Sequence, residues 1–387
     1  MLKNKNLVYP YSKPSINKND FNNVLKVLKD GYLTQGKKLI DFEEKLKELF
    51  KAKYTIACNS GTASLHLIYM ALNAGPNKNV LTTPLTFVAT ANAARMCGAK
   101  VIFSDVHKDT GLIDLKSTEK ILKSNNKIHI ISIVHLAGRL VDMEEVSYLA
   151  KKYNCYVVED ACHAPGSSFK NRLNDEIFTG SCKYSIASSF SFHAIKHITT
   201  GEGGCVTTNN KIFFEKIKLL RSHGLTKRKN NKWENYMLEL GWNYRIDEIS
   251  CALGISQISK LRSGINKRRN LVKAYQRLLK NIDYIKTPEL PSYENSHVWH
   301  LFSISIDFKK LKKSRISVMS QLESFGIGTQ IHYTPIFLQP FYKLKNSKKL
   351  PNALVFYNNT LSLPLYPDLN NQDIKLICDK LINVLEK

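Results

Sequence analysis

One lysine of this chain lies in a crowded polar segment. The segment "SFHAIKHITTGEGG" (191–204) places Lys196 between His193 and His197, ahead of a threonine pair and a glycine-rich turn. A lysine amine becomes a nucleophile or a proton carrier when burial or a neighbouring positive charge lowers its pKa. The glycines lead into a strand-like run instead of opening a helix, so they are not a dinucleotide fingerprint. The segment therefore predicts a chemically active lysine beside a ligand.

A second segment combines carboxylates with a histidine. "VVEDACHAPG" (157–166) places Glu159, Asp160 and His163 at the carboxyl end of a predicted buried strand. In open parallel sheets, ligands bind outside those strand ends. Asp160 could pair with a cationic ring nitrogen, and His163 could orient a ligand. A helix cap made by Asp160 and a structural histidine would explain these residues equally well.

A third segment could hold a phosphate. "NSGTAS" (59–64) follows a strand-like run and opens a helix-like run. Small residues there expose backbone N–H groups at the positive end of a helix, and Ser60 and Thr62 add hydroxyl donors. Taken alone, the segment is better explained as an ordinary helix cap. It lacks the lysine of a P-loop.

The three segments together are typical of one cofactor. Pyridoxal 5′-phosphate needs a phosphate site, an acid that keeps its ring nitrogen protonated, and a lysine that binds it covalently. We therefore predict that Lys196 carries this cofactor and that Asp160 faces its ring nitrogen.

The elements that must position these groups follow a βαβ rhythm. Strand-like runs at 53–60, 79–84, 100–106, 127–135 and 155–162 alternate with helix-like runs. This predicts an α/β fold with a mostly parallel central sheet and helices on both faces. The pattern is helical from Asp247 to about Lys280, and 297–333 suggests a smaller α+β domain. We expect a large domain over 1–250 and a connecting helix with a small domain over 251–387.

The composition is that of a globular protein. The chain has 387 residues, 43% of them hydrophobic, and no apolar run approaches the ~18 residues of a membrane helix. The eight cysteines show no metal-ligand spacing. The start of the sequence has no apolar segment typical of a secretory signal. We therefore expect a cytoplasmic protein with reduced thiols, no metal site and no membrane partner.

The net charge is strongly positive, at +25. Such an excess attracts polyanions. The sequence shows no helix-turn-helix, zinc-finger or RNP-type aromatic motif, so we expect no nucleic-acid partner. A substrate that carries a diphosphate would also benefit from this positive field.

Eight motifs follow one another along the chain: "NSGTASLHL", "TTPLTFVATANAA", "VHLAGRLVDM", "VVEDACHAPG", "SFSFHAIKHITTGEGG", "LRSHG", "GWNYRIDEISCALGISQ" and "HYTPIFLQPFY". In this order they resemble the motifs of DegT-type nucleotide-sugar aminotransferases, which are fold-type I pyridoxal-phosphate enzymes. The resemblance runs from about Tyr11 to Pro367.

The resemblance implies a role for each matching residue. Lys196 corresponds to the covalent cofactor lysine and Asp160 to the partner of the ring nitrogen. The implied contacts of the cofactor are Gly61, Thr62, Ala63, Phe87, His163, Ser191 and Asn243. Asn243 matches an asparagine that reaches the cofactor of the neighbouring subunit, which implies a homodimer with shared active sites. The implied substrate residues are Tyr11, Tyr32, Leu33, Thr34, Gln35, His332 and Tyr333.

Within the family, the subgroup that makes 4-amino sugars for pseudaminic acid is the most similar. This similarity implies amino transfer from glutamate to C4 of a UDP-linked 2-acetamido-2,6-dideoxy-4-keto-hexose. The product would be UDP-4-amino-4,6-dideoxy-N-acetyl-β-L-altrosamine. The alternatives are another UDP- or dTDP-linked keto-sugar aminated at C3 or C4, a sugar dehydratase, and a non-catalytic sugar-nucleotide-binding regulator. Lys196 argues against the dehydratase, whose representatives carry histidine there, and Lys196 with Asp160 argues against the regulator.

Overall fold

The computed structural model describes residues 8–125, 127–228, 231–342 and 350–386. Its α-helices are α1 (Lys18–Asp30), α2 (Lys37–Phe50), α3 (Gly61–Ala71), α4 (Ala89–Met96), α5 (Leu115–Ser124), α6 (Met143–Lys152), α7 (Lys211–Arg221), α8 (Glu248–Leu279), α9 (Arg315–Ser324), α10 (Pro351–Asn359) and α11 (Asn371–Glu386). Its strands are β1 (Tyr54–Cys58), β2 (Asn79–Thr82), β3 (Lys100–Phe103), β4 (Ile128–Val134), β5 (Tyr156–Asp160), β6 (Ser168–Lys170), β7 (Glu176–Phe178), β8 (Ala187–Ser191), β9 (Gly204–Thr208), β10 (Leu225–Arg228), β11 (Asn231–Met237), β12 (Ile285–Lys286), β13 (Phe302–Ile306) and β14 (Thr360–Leu363).

Seven strands form the central sheet, in the order β1-β9-β8-β5-β4-β2-β3. Strand β9 runs antiparallel to both of its neighbours, β1 and β8. The other neighbouring pairs in this sheet are parallel. Strands β2, β4 and β5 are almost fully buried, as their continuous apolar sequences predict. The structure thus confirms the predicted α/β fold with a mostly parallel sheet.

The parallel arrangement decides where the polar segments meet. Strands β1, β2, β4, β5 and β8 all run in the same direction. Both β1 and β8 are antiparallel to β9 and therefore parallel to each other, and parallel pairs link β8 to β5, β4 and β2. Their carboxyl ends therefore lie at one edge of the sheet. The three segments that the sequence singled out follow β1, β5 and β8, so all three emerge at this edge.

The long helix α8 connects the two parts of the chain. Its N-cap is Asp247, whose carboxylate accepts a hydrogen bond from the Ser250 N–H at 2.8 Å. The helix has 32 residues, and its bounds agree with the predicted helix from Asp247 to about Lys280. The first half packs beside the central sheet through Cys251 and Leu261, whereas Tyr275 packs into the C-terminal core.

The C-terminal core surrounds a smaller antiparallel sheet of β12, β13 and β14. Helices α9 and α11 supply Leu322, Ile377 and Leu381 to this core, which confirms a smaller α+β unit. Helix α10 departs from this grouping, because Ala353 and Phe356 pack into the core of the large sheet. Residues beyond 250 thus serve both cores, and the division into domains at that point stays a prediction.

Three further structural features concern membrane helices, cysteines and metal ligands. Within the described ranges, no helix combines the length and the hydropathy needed to cross a membrane. All eight cysteines are free thiols. Over the same part of the chain, no three His, Cys, Asp or Glu side chains gather in a way that could hold a metal ion.

Candidate active site

Lys196 lies in the turn that follows β8. Its backbone N–H donates to the His193 carbonyl at 2.9 Å, and Thr200 N–H donates back to the Phe192 carbonyl at 2.9 Å. The residue is half-buried. Removal from water lowers the pKa of its amine, although the nearby thiol of Cys162 and the carboxylate of Asp160 act in the opposite direction. The amine is therefore available in its uncharged form at a lower pH than an exposed lysine.

Asp160 ends β5 and is buried. The Thr90 hydroxyl donates to its Oδ2 at 2.6 Å, and the Cys162 N–H donates to its Oδ1 at 3.3 Å. Residues 161–167 form turns and no helix, so Asp160 is not a helix cap. Both donors are neutral, and Asp160 forms no salt bridge with another described residue, so its carboxylate remains available to a ligand.

Glu159 is directed to the other side of the sheet, since successive strand side chains alternate. Its carboxylate accepts from the Ser188 hydroxyl at 2.9 Å and lies 3.1 Å from His135 Nε2. Burial acts to raise the pKa of Glu159, but the His135 contact and the serine hydroxyls lower it overall. Of the two carboxylates that the sequence places at this strand end, Asp160 alone belongs to the Lys196 site.

His163 is held as a neutral imidazole. The Ala137 N–H donates to its Nδ1 at 3.3 Å, so the ring proton lies on Nε2, which is 3.2 Å from the Tyr333 hydroxyl. Burial lowers the pKa of His163 well below its usual value, and the positive charge of Lys196 adds to this. His163 thus presents one N–H donor toward the site and not a positive charge.

The first turn of α3 packs against the end of β8. Ser60 is the N-cap, and its hydroxyl accepts from the Ala63 N–H at 3.0 Å. A Cβ on Gly61 would lie 2.7 Å from the Ser191 Cβ, so only glycine permits this approach. The interpretation of Ser60 as a helix cap is correct. The N–H groups of Gly61 and Thr62 precede the helical hydrogen-bond ladder and are free to bind an anion.

Aromatic rings form the open side of the site. Phe87 follows β2 and is 57% exposed, and its ring centroid lies 6.1 Å from that of Tyr333. The rings of Tyr11 and His332 lie 5.6 Å apart. The His332 Nδ1 is 2.8 Å from the Ser362 hydroxyl, and burial lowers the pKa of His332 to about 3, with Lys196 contributing. Tyr11, His332 and Tyr333 therefore give the site a polar wall that is uncharged at neutral pH.

Some predicted site residues are exposed in the single chain. Tyr32, Leu33, Thr34 and Gln35 are exposed and form a loop beside the start of α8. Asn243 is also exposed, and its carbonyl accepts from the Asn59 side chain at 3.3 Å. Their roles in binding stay predictions.

The structure adds residues that the motifs did not single out. Thr90 orients Asp160 from the second residue of α4. The ring of His300 packs against that of His163 in a tilted arrangement, with ring centroids 4.4 Å apart, and the His300 backbone N–H donates to the Ala137 carbonyl at 2.9 Å. Ala137 therefore connects the two histidines. The sequence carries no spacing signal for either residue, because both act across distant parts of the chain.

This fold and site are those of a sugar aminotransferase of the pyridoxal-phosphate-dependent class. The chain belongs to the DegT/DnrJ/EryC1/StrS aminotransferase family, whose model matches residues 14–382. It is similar to the UDP-4-amino-4,6-dideoxy-N-acetyl-beta-L-altrosamine transaminase of Campylobacter jejuni, with 41% identity over 97% of each chain.

Solved structures agree with this assignment. The structure resembles Helicobacter pylori PseC, an aminotransferase involved in the biosynthesis of pseudoaminic acid, with a TM-score of 0.89 and 34% identity over 98% of this chain and 99% of that one. It also resembles the PLP-form of a sugar aminotransferase from Streptococcus pneumoniae, with a TM-score of 0.88 and 25% identity over 97% and 98% of the two chains. The predicted family is confirmed.

Proposed function

We propose that this chain transfers the amino group of glutamate to C4 of a UDP-linked 2-acetamido-2,6-dideoxy-4-keto-hexose, with pyridoxal 5′-phosphate as cofactor. The product is UDP-4-amino-4,6-dideoxy-N-acetyl-β-L-altrosamine, a precursor of pseudaminic acid. The observation that carries the proposal is the full-length similarity to a UDP-4-amino-4,6-dideoxy-N-acetyl-beta-L-altrosamine transaminase. In this chain, Asp160 and the Lys196 turn follow the paired parallel strands β5 and β8.

The residues at the site fit this cofactor. The close approach of Gly61 to Ser191 leaves backbone N–H groups at the positive end of α3, which suit a phosphate. Asp160 supplies a buried negative charge for a protonated ring nitrogen. Phe87 offers an exposed aromatic face for stacking. When bound, the cofactor supplies an electron sink for the carbanion formed at the amino-bearing carbon.

Each side chain then has a defined task. Lys196 would hold the cofactor until the amino donor displaces it, and its released amine would then take the proton from the α-carbon of that donor. Burial lowers the pKa of this amine, which favours the uncharged form that can accept the proton. In the second half of the reaction the same amine delivers a proton to C4 of the sugar. Asp160, fixed by Thr90, keeps a negative charge at the ring nitrogen. His163 donates from Nε2 and orients the ligand without adding positive charge.

The sugar specificity follows from the wall around the reacting carbon. Tyr11, His332 and Tyr333 present hydroxyl and imidazole groups that are uncharged at neutral pH. Such groups distinguish sugars by hydrogen bonds to individual hydroxyl and acetamido groups. Choice of substrate should therefore depend on the orientation of these groups on the ring more than on the net charge of the protein.

Product analysis tests this assignment. With glutamate and matched β-L-arabino and α-D-xylo UDP-4-keto-sugars, we expect amination at C4 of the β-L-arabino substrate, because the similarity extends over the whole chain. NMR of the product reports both the aminated carbon and the sugar configuration. A preference for the D-sugar, or amination at C3, would contradict the assigned sugar and leave the aminotransferase assignment standing.

We also propose that the active site is shared between the subunits of a homodimer. In the single chain, the loop Tyr32–Gln35 and Asn243 are exposed. The hairpin of β10 and β11, with the residues after it, exposes large apolar side chains, among them Met237 and the 69% exposed Leu240. Exposed apolar patches of this kind mark protein interfaces. A second subunit packed against this surface would place these residues of the first subunit at the Lys196 site of the second.

Subunit mixing tests whether Asn243 serves the partner. Lys196→Ala and Asn243→Ala chains should each be nearly inactive at limiting cofactor. In a mixed dimer one site would carry both defects and the other neither. Random exchange should therefore restore about a quarter of wild-type activity, because half of the dimers are mixed and each has one intact site. No recovery, with exchange verified by mass spectrometry, would place the action of Asn243 within its own chain.

A further inference from the structure

A basic cavity lies between α8 and the segment that precedes α1. Its volume is about 320 Å³, and it reaches the turn that carries Lys196. Its cationic and imidazole wall consists of Lys13, Lys196, His197, Lys260, Lys267 and Arg268. None of these residues except Lys196 has a task in the reaction described above.

Arg268 is a buried charge without a counter-charge. It is 2% exposed, and its Nη1 donates to the Leu365 carbonyl. Its Nε has no hydrogen-bond partner, and no carboxylate of the described residues lies within 4.0 Å. Burial lowers the pKa of Arg268 to about 10, yet the group stays charged at neutral pH. Burying an unpaired charge is strongly unfavourable, and an anion bound next to Arg268 would offset that cost.

His197 adds a second unpaired nitrogen to the same wall. Its Nε2 is buried and has no partner among the described residues. Burial lowers the pKa of His197 well below its usual value, and the positive charges of Arg268 and Lys196 add to this effect. The ring is therefore neutral, and with the proton on Nε2 it is a donor. Two buried nitrogens without partners thus line one cavity.

The remaining cations of the cavity differ in whether a carboxylate neutralises them. Lys260 is neutralised by Asp20, with Nζ 2.5 Å from Oδ2, and also donates to the Ser15 carbonyl at 2.9 Å. Lys13 and Lys267 are exposed, and neither has a carboxylate of the described chain within 4.0 Å. The cavity thus combines a buried guanidinium with two free lysines, and its net charge is positive.

We propose that this cavity is an oxyanion site that binds a carboxylate or phosphate group of a substrate during amino transfer. The proposal rests on the proposed function. Two substrates bring suitable groups to Lys196: the amino donor brings carboxylates, and the nucleotide sugar brings a diphosphate. The fork of an arginine and the amines of two lysines suit either oxyanion. A substrate oxyanion bound in this cavity would therefore lie next to the turn that carries the reacting lysine.

Binding of unreactive probes to the holoenzyme tests the site without turnover. Glutarate has two carboxylates but no amino group to transfer, and UDP has the diphosphate but no sugar. We expect at least one probe to bind the wild type in calorimetric titration at low ionic strength. The double variant Lys13→Ala/Lys267→Ala should bind it about ten-fold more weakly or worse, because two charge-assisted contacts are lost.

Lys273→Ala is the matched control, since it removes an exposed lysine of the same helix that does not line the cavity. It should bind like the wild type. Arg268→Met should weaken binding further, and a melting curve shows whether losing the contact with Leu365 unfolds it. The double variant Lys13→Ala/Lys267→Ala retains the hydrogen bond between Arg268 and Leu365, so its binding result can be interpreted even if Arg268→Met unfolds.

The two probes separate the sources of the anion. Weakened glutarate binding assigns the site to the amino donor, and weakened UDP binding assigns it to the nucleotide sugar. If the double variant binds both probes as tightly as Lys273→Ala does, or if neither probe binds the wild type, the oxyanion site is wrong. A wild type that binds a probe normally but transfers no amino group would instead contradict the proposed function.

Discussion

Replacing Lys196 with alanine should lower the rate of amino transfer by about 10³-fold or more and leave the fold intact. The amine is asked to hold the cofactor and to move the proton, and the second task alone is typically worth about 10²–10⁴-fold. The side chain is only half-buried, so its removal should change the melting temperature little. Single-turnover rates with glutamate and a thermal melt of the same preparation provide the two measurements.

Two observations locate the effect at this residue. Borohydride should fix the cofactor to the wild-type peptide that contains Lys196 and not to the variant. Lys196→Arg should not restore the rate, because a guanidinium stays protonated and cannot accept the proton. Lys183→Ala, which removes an exposed lysine just before β8, serves as the control and should retain wild-type activity. Normal turnover by Lys196→Ala would remove Lys196 from the mechanism.

The pH dependence of the first half-reaction should reflect the same amine. Burial lowers the pKa of Lys196, so the uncharged amine persists to lower pH than in an exposed lysine. The rate should fall as the pH falls through this lowered pKa, because the protonated amine cannot take the α-proton. An exposed lysine in the same role would lose activity at a higher pH. The lowered pKa thus extends the working range of the enzyme toward neutrality.

The position of the site could be predicted from the sequence because it depends on topology. Once the strand-like runs before Ser60, Asp160 and Ser191 are taken as parallel, their carboxyl ends must meet at one edge. Lys196 follows the last of these strands by a short turn. No knowledge of side-chain packing was needed for this step, and the structure places the segments as expected.

Other parts of the site depend on contacts between residues that are far apart in the sequence, and no short sequence motif indicates such contacts. The Thr90 hydroxyl reaches Asp160 from 70 residues away, and the Tyr333 hydroxyl reaches His163 from 170 residues away. The alternation of a strand indicates that Glu159 and Asp160 face opposite sides, but not which of them faces the ligand. The cavity beside Arg268 could not be predicted either, because it forms only when residues 13–17 lie along α8.

Replacing Asp160 with asparagine should lower the rate of the glutamate half-reaction by about 10²–10³-fold, the range seen when one electrostatic contact to a transition state is lost. The amide keeps the shape of the side chain and can still accept from the Thr90 hydroxyl, which lies 2.6 Å from Oδ2. What it loses is the negative charge that keeps the ring nitrogen protonated. Stopped-flow loss of the visible cofactor band measures the step, and a thermal melt measures the fold.

The neighbouring carboxylate provides the matched control for that prediction. Glu159→Gln makes the same chemical change one residue away, but it disturbs the contacts with His135 and Ser188 on the other side of the sheet. The lowered pKa of Glu159 means that its charge stabilises the folded state at neutral pH and that this contribution is lost as the pH falls through the folded pKa. Glu159→Gln should therefore lower the melting temperature at pH 7 and leave the rate of the folded protein largely unchanged. The opposite pattern, with Asp160→Asn active but poorly folded, would make Asp160 a structural residue and leave the ring nitrogen without its partner.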